Sequence, residues 1–330
     1  MSRLNNALIA CLPLAQLISA GAAKAATLYV NCDGKVGLTS IGAALKTLQH
    51  AEATGPNTII VTGACRENVV IKDMDRLTVT GRAGASLTDA SGGAADVVDI
   101  RNSRVTITGM TIDGQNGVNN DTVDCEQGSQ CTLVGNTIQG AADPVGVYAR
   151  SSAQIVGGVL QHGTFSGIFA LGSDVVASGV MIQENPVGLA VRFGARVRTG
   201  FVDPAYSPGF ARSPTIIENN GVGVQVTQAQ YACGGCVVQG NSGDGINADL
   251  SGEVRINRAF FIDGSSAAPS VTGNTGHGVY LGDLSSGSFA VPPSTVSGNG
   301  QPDIVCKSPT SASSGALTAA GGAAHTNCAN

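Results

Sequence analysis

One phrase recurs along the chain: a glycine, an aliphatic residue, then alternating side chains. It appears as Gly146-Val147-Tyr148-Ala149, Gly167-Ile168-Phe169-Ala170 and Gly188-Leu189-Ala190-Val191. It returns as Gly223-Val224-Gln225-Val226, Gly245-Ile246-Asn247-Ala248 and Gly278-Val279-Tyr280-Leu281. Successive glycines lie 21, 21, 35, 22 and 33 residues apart, so a unit of 21–22 residues repeats, with two insertions of about a dozen residues. A second phrase sits inside many units, as in Val105-Thr106-Ile107-Thr108-Gly109, Thr132-Leu133-Val134-Gly135-Asn136 and Gln154-Ile155-Val156-Gly157-Gly158. Two or three short strands between Gly/Asn corners are too little chain for a propeller blade or a βαβ crossover. Alone, such a unit cannot bury its apolar side; stacked on copies of itself it can. The pattern predicts an all-β chain coiled as a parallel β-helix solenoid.

Composition agrees. Glycine supplies 46 of 330 residues, about twice the usual ~7%, and the chain has no Trp and only 4% aromatics. Those are the residues of tight corners and a narrow interior. The 42% hydrophobic content is enough for a core. The absence of a G-X-Y period excludes collagen. A pI near 5.3 without a basic cluster gives nucleic acid no footprint.

These repeats resemble those of the right-handed parallel β-helix family, the pectate-lyase-like fold, in its exported bacterial type. The resemblance covers residues 58–306. It implies a right-handed coil but selects no activity, because the same coil carries lyases, hydrolases, epimerases, esterases and adhesins. Family members commonly begin with a helix over the open end. Here Thr39 or Ser40 can cap a helix whose Ile41, Ala44, Leu45 and Leu48 share one face, giving an N-terminal cap over 26–57. The Ser/Ala/Gly-rich stretch 307–330 reads as a C-terminal cover. Asn219, Asn241 and Asn274 each lie four residues ahead of a repeat glycine, and Asn299 lies four ahead of Asp303. Stacked at one corner, they would form a hydrogen-bond ladder.

The first 25 residues read as a secretory signal peptide: Arg3, an apolar stretch from Ala7 to Ala20, and Ala23-Lys24-Ala25 as the cleavage site. Loss of Arg3 and Lys24 with that leader takes the formal charge from −5 to −7. Eight cysteines then remain, an even count that predicts disulfides in an exported chain. Their clustering suggests Cys32–Cys65, Cys125–Cys131, Cys233–Cys236 and Cys306–Cys328. The chain is expected to be secreted or periplasmic, monomeric and without a membrane span after cleavage.

In the repeat strand, side chains alternate in and out. With Val98, Val123, Val147, Ile168 and Leu189 inward, an outward column reads Asp99, Asp124, Tyr148, Phe169. A second column carries Arg101, Glu126, Arg150 and, further on, Arg192. Carboxylates, guanidinium groups and aromatic rings on one flat face suit a polysaccharide. The expected catalytic residues are Asp99, Asp124 and Arg150, and the expected substrate contacts are Glu126, Tyr148, Phe169 and Arg192. The insertions at 202–214, with Asp203, Tyr206 and Phe210, and at 259–270 are candidates to wall that face.

Three enzyme readings compete. Gly276-His277-Gly278 matches one motif of polygalacturonase-like hydrolases, but Asn119-Asn120-Asp121 lies some six coils away, too far to share a sugar. Paired-carboxylate hydrolysis would use Asp124 with Asp99 or Glu126. A lyase acting on an acidic glycan would hold Ca2+ on Asp99, Asp124 and Glu126, the one cofactor these residues suggest, with Arg150 or Tyr148 as base. The alternative is a non-catalytic adhesive or structural carbohydrate-binding module. The enzyme reading predicts a cleft walled by the insertions and at least one strongly shifted acid; the binding module predicts shallow clefts, no buried titratable group and no bound calcium.

Overall fold

In the computed structural model, residues 25–51, 55–115, 117–148, 150–205, 207–289, 295–307 and 313–314 are described. The chain forms the expected parallel β-helix. Each coil contributes one strand to each of three sheets, here called A, B and C in chain order. Sheet A begins with Thr27–Asn31 and Asn57–Thr62, sheet B with Ala64–Arg66 and sheet C with Val69–Lys72; Leu77–Gly81 then returns to sheet A. Sheets B and C each hold ten strands. Every pairing within the three stacks is parallel and in register, as in Thr132 with Thr106 and Gln154.

Strand burial alternates in sheets A and B, as Asn57–Thr62 illustrates, while several sheet C strands are buried on both faces, and a single stack of Val, Ile, Leu and Ala fills the interior from Val30 to Cys306. Three corners join the sheets, and buried polar side chains bridge successive coils there, since a buried corner amide has no water to bond. Between sheets B and C, Asn185, Asn220, Asn241, Asn274 and Asn299 form a continuous ladder. Each side-chain amide donates to the next carbonyl oxygen at 2.8–3.1 Å, and Asp303 accepts the last bond. The rung is therefore Asn220 and not Asn219, which is exposed with φ of 56°. At the corner from C to A, Ser129 and Ser151 do the same work through backbone N–H donors of the preceding coil.

The helix Ile41–Ala51 closes the first coil with Ile41, Ala44, Leu45 and Leu48 buried in the same core. Ser40 is its cap: Ser40 Oγ accepts the Ala43 N–H at 3.1 Å, while Glu67 accepts those of Ile41 and Gly42. Disulfides Cys32–Cys65, Cys125–Cys131 and Cys233–Cys236 are formed as expected. Cys306 is disulfide-bonded, and Cys328 lies outside the described residues, as do the leader through Lys24, Tyr206 and most of the C-terminal cover. No described helix is long and apolar enough to cross a membrane.

Both insertions fall between sheets A and B, not beside sheet C. The first leaves strand Arg196–Val202 and returns through Ser213–Pro214; the second leaves Glu253–Asn257 and forms the hairpin Ala259–Phe260 with Ser266–Ala267. They pack on each other. Phe201 meets Phe261 edge to face, and the Arg212 guanidinium lies 4.1 Å over the Phe261 ring while bonding Asp263 at 2.9 Å. The expectation that they wall the acidic face is thus corrected.

Candidate active site on sheet C

The outward column of sheet C begins as expected, with Asp99 beside Asp124 and Glu126 beside Arg101. Its third place belongs to Gly146, which pairs with Asp124 on one side and Phe169 on the other. Tyr148 lies two residues further along its chain and Arg150 two more. Arg150 is exposed in a turn with φ of 64°, outside both columns. Arg192 stands four strands from Asp99 and is bound to its own sheet, to Thr227 and Gln225 at 2.6 Å each. Desolvation lowers its pKa. The catalytic role expected for Arg150 and the shared site expected for Arg192 therefore find no support in this geometry.

The empty place over Gly146 is filled from elsewhere. A side chain there would meet Asp121 Oδ2 and the Tyr148 ring at once. Asp121 opens the strand Asp121–Glu126 and Asp143 opens the neighbouring strand Asp143–Val147; the two are register partners. Tyr148 folds back over Gly146, and its hydroxyl donates to Asp121 Oδ2 at 2.8 Å. Ser166 donates to Asp143, and Asp96 accepts the Asp121 N–H at 2.7 Å. The side chain of Asp121 thus takes the column place between Asp124 and Phe169.

Four carboxyl groups are buried on this outer face, with Asp99, Asp121, Asp124 and Asp143 only 5%, 5%, 8% and 4% exposed. Burial, then the charges of Asp96, Glu126 and Asp99, pushes Asp124 up to about 8. Asp124 Oδ1 has no hydrogen-bond partner. Burial also raises Asp121 and Asp143, and the adjacent Asp143 charge raises Asp121 further; two neighbouring buried carboxyls cannot both ionise cheaply. The Tyr148 hydroxyl is held protonated by burial and by Asp121, which removes it as a base. Beside these acids, Tyr148, Phe169 and the half-exposed Phe165 form an aromatic shelf, with centroids 5.5 and 5.7 Å apart in succession.

Asp99, Asp124 and Glu126 bring carboxylate oxygens within 4.8 Å of one another, the cluster that calcium would use. Arg101 already holds it. Its guanidinium bonds both oxygens of Asp99 and also Glu126 Oε1, at 2.5–2.9 Å. A calcium ion takes six to eight oxygens, and here it would compete with a resident cation for three of the nearest. The set does not fit calcium as it stands.

From the sequence, Asp121 figured only in a motif that was set aside, and Asp143, Asp96, Phe165 and Ser166 were missed. A signal existed: Asp121 and Asp143 open consecutive strands 22 residues apart, the repeat length itself.

The fold and site define a parallel β-helix with an acidic, aromatic-edged face. No protein-family model matches the chain, and no curated protein matches it. Among solved structures it is similar to the A-module of the Azotobacter vinelandii mannuronan C-5 epimerase AlgE6, with a TM-score of 0.46 and 12% identity over 88% of this chain and 94% of that one.

Proposed function

We propose that this is an exported protein that binds a polysaccharide across sheet C and hydrolyses it with paired carboxyl groups. The observation that carries this reading is the side-by-side placement of the buried acids Asp124 and Asp121 against the Tyr148–Phe169 shelf. A sugar ring would pack its C–H face on the aromatic rings. Asp124, protonated at neutral pH, would donate to the glycosidic oxygen as the bond breaks. The Asp121–Asp143 pair, both raised by burial, would hold one proton between them and carry the negative charge that stabilises the electron-poor sugar and activates water. Tyr148 orients Asp121 through its hydroxyl. The surplus of acids over Arg101 and its neighbour Lys72 favours a neutral or sparsely charged glycan over the acidic one suggested by sequence. Export is supported by the three disulfides.

The non-catalytic binding reading is favoured by a different observation: the insertions leave this face open. One experiment separates the two. Purified protein is screened against neutral and acidic polysaccharides, with calcium or with chelator, following reducing ends, unsaturated ends and retained binding. New reducing ends that fall about a hundredfold or more in D124N and D121N are the expected result. Binding without turnover leaves the adhesive reading; no binding to any glycan overturns both.

A further inference from the structure

We infer a second ligand site, on sheet A, that takes a polyanionic glycan chain of the uronate type. It goes beyond the acid site of sheet C and does not depend on it. In the outward row of sheet A that leads to Arg198, the preceding side chains are uncharged, namely Thr78, Thr106, Thr132, Gln154 and Val176. The pattern changes abruptly in three consecutive strands. Arg198 on Arg196–Val202 pairs in register with Ala232 on Gln230–Gly234, and Ala232 pairs with Arg255 on Glu253–Asn257. Ala232 is too short to fill the space between two long side chains. The result is a hollow of about 230 Å³ floored by Ala232 and edged by Arg196, Arg198, Arg255, Gln230 and Glu253.

Its charge is opposite to that of the chain as a whole, which carries −5. Arg196 and Arg198 are exposed and make no ion pair with any described residue, although Asp174 is the register neighbour of Arg196. Arg255 is oriented by Glu253, which accepts from its Nε at 2.6 Å and its Nη2 at 2.5 Å. Two guanidinium groups therefore flank the hollow two strand spacings apart, about 9–10 Å, with a third at its side. Guanidinium groups pair bidentately with carboxylates. One strand spacing is close to the length of one pyranose ring. A uronate chain running along the coil axis would set alternate carboxylates against Arg198 and Arg255 and lay the ring between them over Ala232. Open along the row from Arg198 to Arg255, the hollow suits an extended chain.

The test is binding of oligogalacturonate to the full-length protein by calorimetry, with a neutral cello-oligosaccharide and anionic phospholipid vesicles as separate arms. Oligogalacturonate is expected to bind in a salt-sensitive manner. Affinity should fall about tenfold or more in R198A/R255A, partly recover in R198K/R255K, and stay unchanged in D124N. Both arginines are exposed, and circular dichroism of each variant is the check that it stays folded. No binding of the uronate, binding indifferent to the double substitution, equal loss in D124N, or arginine-dependent binding of vesicles but not uronate would each overturn the assignment.

Discussion

The Tyr148 hydroxyl reaches Asp121 Oδ2 at 2.8 Å across Gly146, whose missing side chain is what lets the two meet. Introducing even a methyl group there would place a carbon 1.8 Å from the carboxylate oxygen and 2.5 Å from the tyrosine ring. Gly146→Ala is therefore expected to destabilise the fold by about 1–3 kcal/mol, read from urea denaturation. It should also remove any activity that depends on Asp121. A variant as stable as the parent would show that the Tyr148–Asp121 contact is not built on that space.

Asp124 makes stability depend on pH. An aspartyl group whose native pKa lies above its unfolded value of ~3.9 contributes stability that is complete below that value. The contribution is lost as pH rises through about 8. Between pH 5 and pH 8, unfolding free energy should fall in the parent protein more than in Asp124→Asn, by roughly 2–5 kcal/mol. Parallel pH profiles for the two proteins, in chelator, would refute the buried protonated acid.

Asn220 and Asn219 differ by one position and should differ sharply in cost. Asn220→Ala removes amide bonds to Asn241 and to the Ile182 and Glu218 carbonyls, and strips the bond that Asn185 donates to it. The groups left unpaired are buried, so a loss of about 2–4 kcal/mol is expected. Asn219→Ala touches an exposed side chain and gives up only the tolerance of Asn for positive φ, about 1 kcal/mol. Paired thermal melts decide between the rungs.

Phe169 links Phe165 to Tyr148 at the edge of the acids. Phe169→Ala should weaken glycan affinity about threefold to tenfold, in line with ~0.5–1.5 kcal/mol for an aromatic contact, and leave the pH profile of turnover unaltered. Titration with the glycan that scores in the screen checks this. Unchanged affinity would place the sugar elsewhere.

The coil, its cap and the disulfides were legible because each repeats a local rule: period-2 burial, a Ser followed by a helical face, and nearby cysteine pairs. The site was only half legible. Aligning Gly146-Val147-Tyr148 with Gly167-Ile168-Phe169 moved that strand by two residues relative to its true partners, Val145 with Ile168. A slip of two leaves every inward residue inward, so hydrophobic alternation cannot detect it. The error carried Tyr148 and Arg150 into columns they do not occupy. Asp121 was hidden for another reason: it starts its strand at a corner, and its carboxyl enters the outer row only because Gly146 is bare. The Asn ladder slipped by one for a similar cause, since two adjacent asparagines both precede the glycine of that coil.

The packed insertions change how the solenoid holds together. In a simple stack each coil touches only the next, and the ends can peel one turn at a time. Here Phe201 and Arg212 on one coil grip Phe261 and Asp263 two coils away. They reach over the short Cys233–Cys236 link, where Gly235 has no side chain to block Phe201. The coil in between is clasped on both sides and cannot be released alone. Pulled along its axis, the protein would give way there in one long step spanning three turns, a rivet in an otherwise evenly sewn seam.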